Sequence, residues 1–460
     1  MESKYLIFSI GALIFLPIGI MLARSSLRIL NLIFFALVFG TTQPESLFGL
    51  PTDINFLSRE WYRGTTRGIE ISYLDFLAII LFFGSLSARA REGIPFRKPP
   101  SFGILKIYFF WALFTVLIMS EPKIFGIFEV TKIARGILIF LAVSAFVRSP
   151  EQLRLFIYIL LVVAFYEAAI ALSDRYMHGI HRVKATLPHP NSLSMYCLQI
   201  LPILLSVYFS HDVSARVRKL CLLGSLLLAG TIILTISRTG FAALALLTFL
   251  TIVFNIRTRL TLKNIGILVL VVIIGALMTV KAWDSLTSRF STFEFENEYM
   301  SEEGDRGSYF RKGLPAIYDN PVFGIGLNNW SYWISNKYAE LAGYSSSPYP
   351  SPNSPPLSGT ANPPAHNLYL ITAVELGLVG LLLLLMIFWR WFRITGAGVF
   401  KGDGGLADRI RLGALFSLLG VLMQSVTEWE FRQTPMFFLG HINIAVAVSI
   451  YSMRKRVSDH

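Results

Sequence analysis

The residues with the clearest chemical potential form one short run, Ala365-His366-Asn367, followed by apolar residues with Glu375, Gly377 and Gly380 among them. An imidazole can take or give a proton near neutral pH, so His366 is a candidate general base. At 100° per residue, a helix through this run would place Ala373, Gly377 and Gly380 within about 40° of His366. Small residues on that stripe would admit a neighbouring helix and fix the direction of the ring; a plain helix-packing seam explains the same pattern. Arg238, in Ser237-Arg238-Thr239-Gly240, and Arg306 and Arg311 beyond it are guanidiniums able to grip a phosphate through parallel hydrogen bonds. The competing roles are a snorkelling anchor for Arg238 and ion pairs with Glu302, Glu303 or Asp305 for the other two. His189-Pro190-Asn191 reads as a helix start with Asn191 as its cap and Pro190 stiffening the approach. A helix N-terminus also attracts anions, which leaves His189 and Asn191 a supporting role in binding. Glu375, set among apolar residues, needs a partner or a proton. The turn Glu428-Trp429-Glu430-Phe431-Arg432-Gln433 is dense in charge and suits a site wall or an ion-pair clamp.

Other chemistries lack their residues. The chain has no phosphate-cradling glycine loop, no HExxH and no Asp-x-Asp pair. Glu294-x-Glu296-x-Glu298 could hold a cation, but a solvated acidic patch accounts for it. Cys197 and Cys221 have no metal spacing and lie in or beside apolar runs. No cofactor or metal is expected.

These candidates must be positioned by membrane helices. Of the 460 residues, 54% are hydrophobic and 15% charged, with a mean hydropathy of +0.59; a soluble domain of that make-up would expose too much apolar surface. Runs of about 20 apolar residues recur, each enough to cross roughly 30 Å of hydrocarbon. The pattern predicts an all-α integral membrane protein of twelve or thirteen helices, near 5–23, 28–41, 70–87, 104–120, 128–147, 153–172, 191–209, 218–236, 240–256, 264–281, 366–393, 411–427 and 434–452. Tyr5–Ala23 lacks a basic start and a cleavage site, so it reads as a retained span.

The net charge of +13 is not spread as a nucleic-acid binder would spread it. It collects between spans, at Arg89, Arg91, Arg97 and Lys98, at Arg216, Arg218 and Lys219, at Arg257, Arg259 and Lys263, and at Arg454, Lys455 and Arg456. Those segments are assigned to the cytoplasm. Segments 42–69, 173–190, 282–365 and 428–433 then face outward. From Trp283 to Ala365 nine acids stand against five bases, and the end of that loop, Tyr344–Ala365, holds seven prolines and is predicted to be an irregular, mobile strap. A helix is expected over 306–320, before Asn320-Pro321. The chain therefore divides into spans over 1–281, an outer loop over 282–365 and three closing spans over 366–460.

Across about residues 180–380 these motifs resemble the O-antigen ligase and O-antigen polymerase superfamily of bacterial inner-membrane proteins. His366-Asn367 with Gly377-x-x-Gly380 looks like the His-Asn signature of the ligases, and Ser237-Arg238-Thr239-Gly240 is similar to their outer-edge arginine motif. Arg306, fifteen residues before Pro321 in Asp319-Asn-Pro-Val-Phe-Gly-Ile-Gly326, resembles the loop arginine ahead of their NP-x-x-G-x-G turn. His189-Pro190-Asn191 resembles a further element. The resemblance implies inverting, metal-independent transfer of glycan from an undecaprenyl-diphosphate carrier at the periplasmic face of the inner membrane. It implies Arg238 and Arg306 on the diphosphate, His366 as base or orienter, and Asn367, Arg311, His189 and Asn191 as substrate contacts. Expected partners are the lipid-linked donor, a glycan or lipid A-core acceptor and membrane lipid, with no nucleic acid. Ligation, polymerisation of lipid-linked repeats and protein O-glycosylation share this donor chemistry. A lipid-linked sugar transporter is the reading from another class; it calls for a polar path with coupled midplane acids, and beyond Asp75, Glu167 and Glu375 such acids are sparse.

Overall fold

The computed structural model describes residues 2–42, 46–47, 50–51, 53–119, 121–256, 305–357 and 361–458. Twelve of the expected spans are helices there: α1 (Glu2–Ser25), α2 (Leu27–Phe39), α3 (Tyr73–Arg91), α4 (Phe102–Ile118), α5 (Lys123–Phe146), α6 (Pro150–Tyr176), α7 (Pro190–Tyr208), α8 (Ala215–Leu234), α9 (Arg238–Ile256), and, after α10 (Asp305–Asp319) of the outer loop, α11 (Leu368–Gly396), α12 (Leu406–Gln424) and α13 (Thr434–Ser458). The expected span 264–281 and the Glu294–Glu298 run lie outside the described residues. Eight of the helices are long and apolar enough to cross a membrane. The chain is an all-α, multi-pass membrane protein.

Two helices fall short of that measure because of charge. α5 carries Glu129, Lys132 and Arg135, and α12 carries Asp408, Arg409 and Arg411. Each charge finds a partner inside the bundle or at its rim: Arg135 Nε donates to Asp75 Oδ1 at 2.8 Å, and Arg409 Nη1 to Asn255 Oδ1 at 2.6 Å. A charged side chain held in hydrocarbon without such a partner would be expelled from the span.

The centre of the bundle is α7, buried along nearly its whole length. α12 lies directly against it because Gly413 has no side chain; a Cβ there would sit 2.3 Å from Ile203 Cα. Ahead of α3, β1 (Asp53–Phe56) pairs antiparallel with β2 (Ile69–Ser72), with Asp53 opposite Ser72. Ser72 then starts α3 through a reciprocal capping box with Asp75.

The single helical stripe expected through His366, Ala373, Gly377 and Gly380 does not form. α11 starts at Leu368, after His366, and is broken at Gly377, whose φ of 71° and ψ of 179° are not helical. The break leaves carbonyls without their intrahelical donors, and other groups supply them. Ile325 N donates to Val374 O at 2.9 Å, Gly326 N to Glu375 O at 3.0 Å, and the Trp111 indole to Leu376 O at 3.0 Å. Leu378 N donates in turn to Pro321 O at 2.8 Å. The Asn320-Pro-Val-Phe-Gly-Ile-Gly326 turn is thus a backbone plug seated in a broken helix. Its glycines are steric necessities: a Cβ at Gly324 would lie 2.5 Å from Glu375 backbone atoms, and one at Gly377 would lie 2.1 Å from Val322 O.

α10 covers Asp305–Asp319 and ends at the Asn320-Pro321 break, as expected. The described part of the proline-rich strap is irregular, and it is tied down. Tyr349 N donates to Asn336 Oδ1 at 2.8 Å, Asn362 N to Ser335 Oγ at 2.9 Å, and the Trp330 indole to Pro363 O at 2.9 Å.

Candidate active site

Helix termini and one short turn bring the candidate residues together at one end of the bundle. Asn367 starts α11: its Oδ1 accepts from Leu370 N at 2.8 Å, while its Nδ2 donates to Val426 O at 2.7 Å. The first bond caps the helix and the second ties that cap to the chain just ahead of Glu428, so both polar atoms of Asn367 serve the architecture. His366 precedes the cap, one-third exposed, and its Nδ1 meets Glu428 Oε2 at 2.7 Å; the Glu428 side chain is 2% exposed. With Nδ1–H donated to the carboxylate, the lone pair of neutral His366 is on Nε2 and turned away from Glu428.

Glu428 also accepts from Asn191 Nδ2, at 2.6 Å. Asn191 is not the cap of α7, as the sequence suggests. His189 is the cap, its Nδ1 accepting from Asn191 N at 3.2 Å, with Pro190 in the first helical turn. Proline has no N–H, so the first amide free to be capped is that of Asn191. The Asn191 side chain is then available to link Glu428 to Arg182, whose Nη2 donates to Asn191 Oδ1 at 3.3 Å. His189 Nδ1 lies 3.8 Å from Glu430 Oε1, too long for a hydrogen bond. Two partly exposed imidazoles therefore have buried carboxylates behind them.

Arg238 is the first residue of α9. Thr239 beside it exchanges a 2.8 Å hydrogen bond with Thr427, the residue before Glu428. Gly240 lets this corner press on α7, since a Cβ there would lie 1.9 Å from Ser194 Oγ. The motif Ser237-Arg238-Thr239-Gly240 is thus fixed against the same turn that holds His366. On α10, the Tyr309 ring packs 5.7 Å from the His366 ring. Arg306 occupies the preceding turn of that helix, though its side chain lies outside the described atoms. Arg311 is two residues past Tyr309, about 200° round the helix from it and so away from His366.

Beneath this layer lies a buried ion-pair chain that gives Glu375 its partner. Arg432 Nη1 meets Glu375 Oε2 at 2.7 Å and its Nε meets Glu129 Oε1 at 3.1 Å; Glu129 Oε2 meets Lys132 Nζ at 2.7 Å. Burial works against the Arg432 charge, but Glu375 and Glu129 outweigh it and hold its pKa above the ordinary value. Glu375 Oε1 accepts from Trp330 N at 3.1 Å, and Glu129 accepts from Thr65 Oγ1 at 3.0 Å. The turn 428–433 is therefore an ion-pair clamp, one of the two roles its composition suggested. Glu428 and Glu430 form the wall behind the histidines, and Arg432 clamps the broken helix to α5.

Sequence reasoning singled out His366, His189, Asn191 and Arg238 and passed over Glu428 and Arg182 as individual residues. The signal for Glu428 was present in the charge density of its turn. Nothing local marks Arg182. The side-chain ligand atoms of His366, Glu428 and Glu430 lie within 4.8 Å of one another, the one described group with the donors to hold a metal ion. The 2.7 Å contact of His366 with Glu428 uses the same atoms as a hydrogen bond.

Residues 223–385 match the family described as O-antigen ligase. The segment runs from α8 into α11 and contains Arg238, Arg306, Arg311, His366 and Asn367. It bears out the resemblance to the O-antigen ligase and O-antigen polymerase superfamily, and it supports an O-antigen ligase-like function of the glycosyltransferase type, with lipid-linked glycan and acceptor as partners in general terms. No curated protein matches the chain.

Proposed function

We propose that this protein transfers glycan from an undecaprenyl-diphosphate carrier to an acceptor hydroxyl at the periplasmic face of the inner membrane, as a ligase without a metal. The observation that carries the reading is the outward imidazole of His366 backed at Nδ1 by the buried carboxylate of Glu428. Such an arrangement holds one tautomer and steadies the positive ring that forms when Nε2 takes a proton. The acceptor oxygen attacks the anomeric carbon, its proton passes to Nε2, and the bond from carbon to the diphosphate oxygen breaks on the opposite side. Inversion follows from that single displacement.

The leaving group is a diphosphate, and its growing charge needs cations. Arg238, fixed beside Thr427, and Arg306, on the helix that packs on His366, supply them in this account. His189 and Asn191 at the start of α7 line the donor side, and Arg311 serves the outer approach. The carboxylates of Glu428 and Glu430 are sequestered behind the rings, which separates them from the anionic donor.

Reconstitution with a lipid-linked glycan and candidate acceptors tests the reading. Wild type should yield glycan joined to an acceptor, unaffected by EDTA, while Arg238→Ala and Arg306→Ala fold normally and lose at least about 100-fold in rate. Chain elongation of the donor alone would make the enzyme a polymerase. Movement of the donor across the membrane with no new bond would make it a transporter. Full turnover by both arginine variants would remove the diphosphate grip.

A further inference from the structure

At the end of the bundle opposite His366 lies a polar cavity that the transfer reaction does not use. It is walled by the end of α3, the following segment around Ile94–Pro99, the end of α5 and the far end of α13. Ser449 in its wall is fifteen residues along α13 from Thr434, about 22 Å at 1.5 Å per residue. The cavity measures about 80 Å³, against the 10–15 Å³ that admits one water on the same kind of measure. It has room for a phosphate group.

Its polar lining is cationic. Arg89, Arg97 and Arg148 all border it, and among the described residues no acidic one does. Arg89 is 4% exposed and donates through Nε to Ala145 O at 2.6 Å, which fixes its guanidinium in the wall. Arg148 donates through Nη2 to Glu92 Oε1 at 2.7 Å, and only 14% of its side chain is exposed. Its Nη1 is buried with no hydrogen-bond partner among the described residues, and the same is true of Ser144 Oγ, four residues earlier on α5 and in the same wall. A buried donor left without a partner is destabilising, the more so when it is charged. Two such donors on one cavity lined by three guanidiniums match an anion with several acceptor oxygens. The rest of the lining, including Phe96, Val147 and Met453, is apolar, which suits a ligand whose anionic group is attached to hydrocarbon.

We propose that this cavity binds a phosphate group, and that its occupant is the headgroup of an anionic phospholipid in the leaflet away from the active site. Fixed basic pockets between membrane helices recognise lipid headgroups by this combination of charge and paired hydrogen bonds. The site stands apart from the transfer reaction and does not rest on it.

The test uses the full-length protein in nanodiscs of phosphatidylcholine with or without phosphatidylglycerol, and separately with inorganic phosphate. Native mass spectrometry and thermal unfolding read the binding. Wild type should retain phosphatidylglycerol and unfold several degrees higher in its presence. Arg97→Gln with Arg148→Gln should weaken retention about fivefold per arginine removed and abolish the thermal shift. Arg97→Gln alone, a change at an exposed residue, guards against a folding defect at Arg148. Both variants should keep wild-type transfer rates. If inorganic phosphate reproduces the shift and the lipid does not, the site stands with a soluble phosphate as occupant. Equal retention of phosphatidylglycerol by wild type and double variant, with no response to phosphate in either, overturns the proposal.

Discussion

At the residue scale, the site reduces to an imidazole, the carboxylate behind it and the guanidiniums around it. His366 could be singled out from sequence because histidine beside a span boundary is chemically conspicuous. Its orientation could not, because Glu428 is sixty-two residues away and is brought to 2.7 Å only by the packing of α11 against α12. Arg182 was illegible for another reason: it reaches the network only through the Asn191 side chain, which the sequence assigned to the helix cap. If Glu428 orients the ring, Glu428→Gln should lower the transfer rate by about 10-fold or more with little change in acceptor KM, because the substrate is still bound but the tautomer is no longer held. Steady-state kinetics of the purified variant checks this. A fall in affinity with an intact rate would instead make Glu428 part of the acceptor surface.

At the scale of elements, hydropathy made the spans legible and hid the break in α11. The residues around Gly377 are as apolar as those of an unbroken span, so nothing in composition marks a non-helical residue there. The two glycine-bearing motifs Gly377-x-x-Gly380 and Asn320-Pro321-x-x-Gly324-x-Gly326 were visible separately; that they are halves of one joint required the fold. The same holds for Glu375, whose need of a partner was evident and whose partner, Arg432, was not. Two predictions belong here. Gly377→Ala should destabilise the protein, by about 1–3 kcal/mol for the left-handed backbone and more for the clash with Val322 O, seen as a lower unfolding temperature in detergent. Arg432→Met should cost about 3–5 kcal/mol, because it strands Glu375 in a buried site. Adding Glu375→Gln should recover part of that loss. No recovery would mean that the clamp acts through Glu129 instead.

At the scale of the whole molecule, basic inter-span segments predicted which end of each helix lies inside, and the fold gathers His366, Arg238, Asn191 and the 428–433 turn at one end. The sidedness itself is open to direct labelling. A cysteine at exposed Leu357 in the strap should react with an impermeant maleimide added to intact cells, and one at exposed Lys98 should react only after permeabilisation. Reversed accessibility would place the histidine layer on the cytoplasmic face. Helix existence was readable because a span needs only length and apolarity. Convergence was not, since it depends on where the connecting segments return.

The most direct test of the central claim is the single-turnover rate of glycan transfer by wild type and His366→Ala, reconstituted with the same undecaprenyl-diphosphate donor and the same acceptor. The account predicts a rate about 10²–10⁴-fold lower for the variant, with donor binding retained. Equal rates for the two proteins would contradict it.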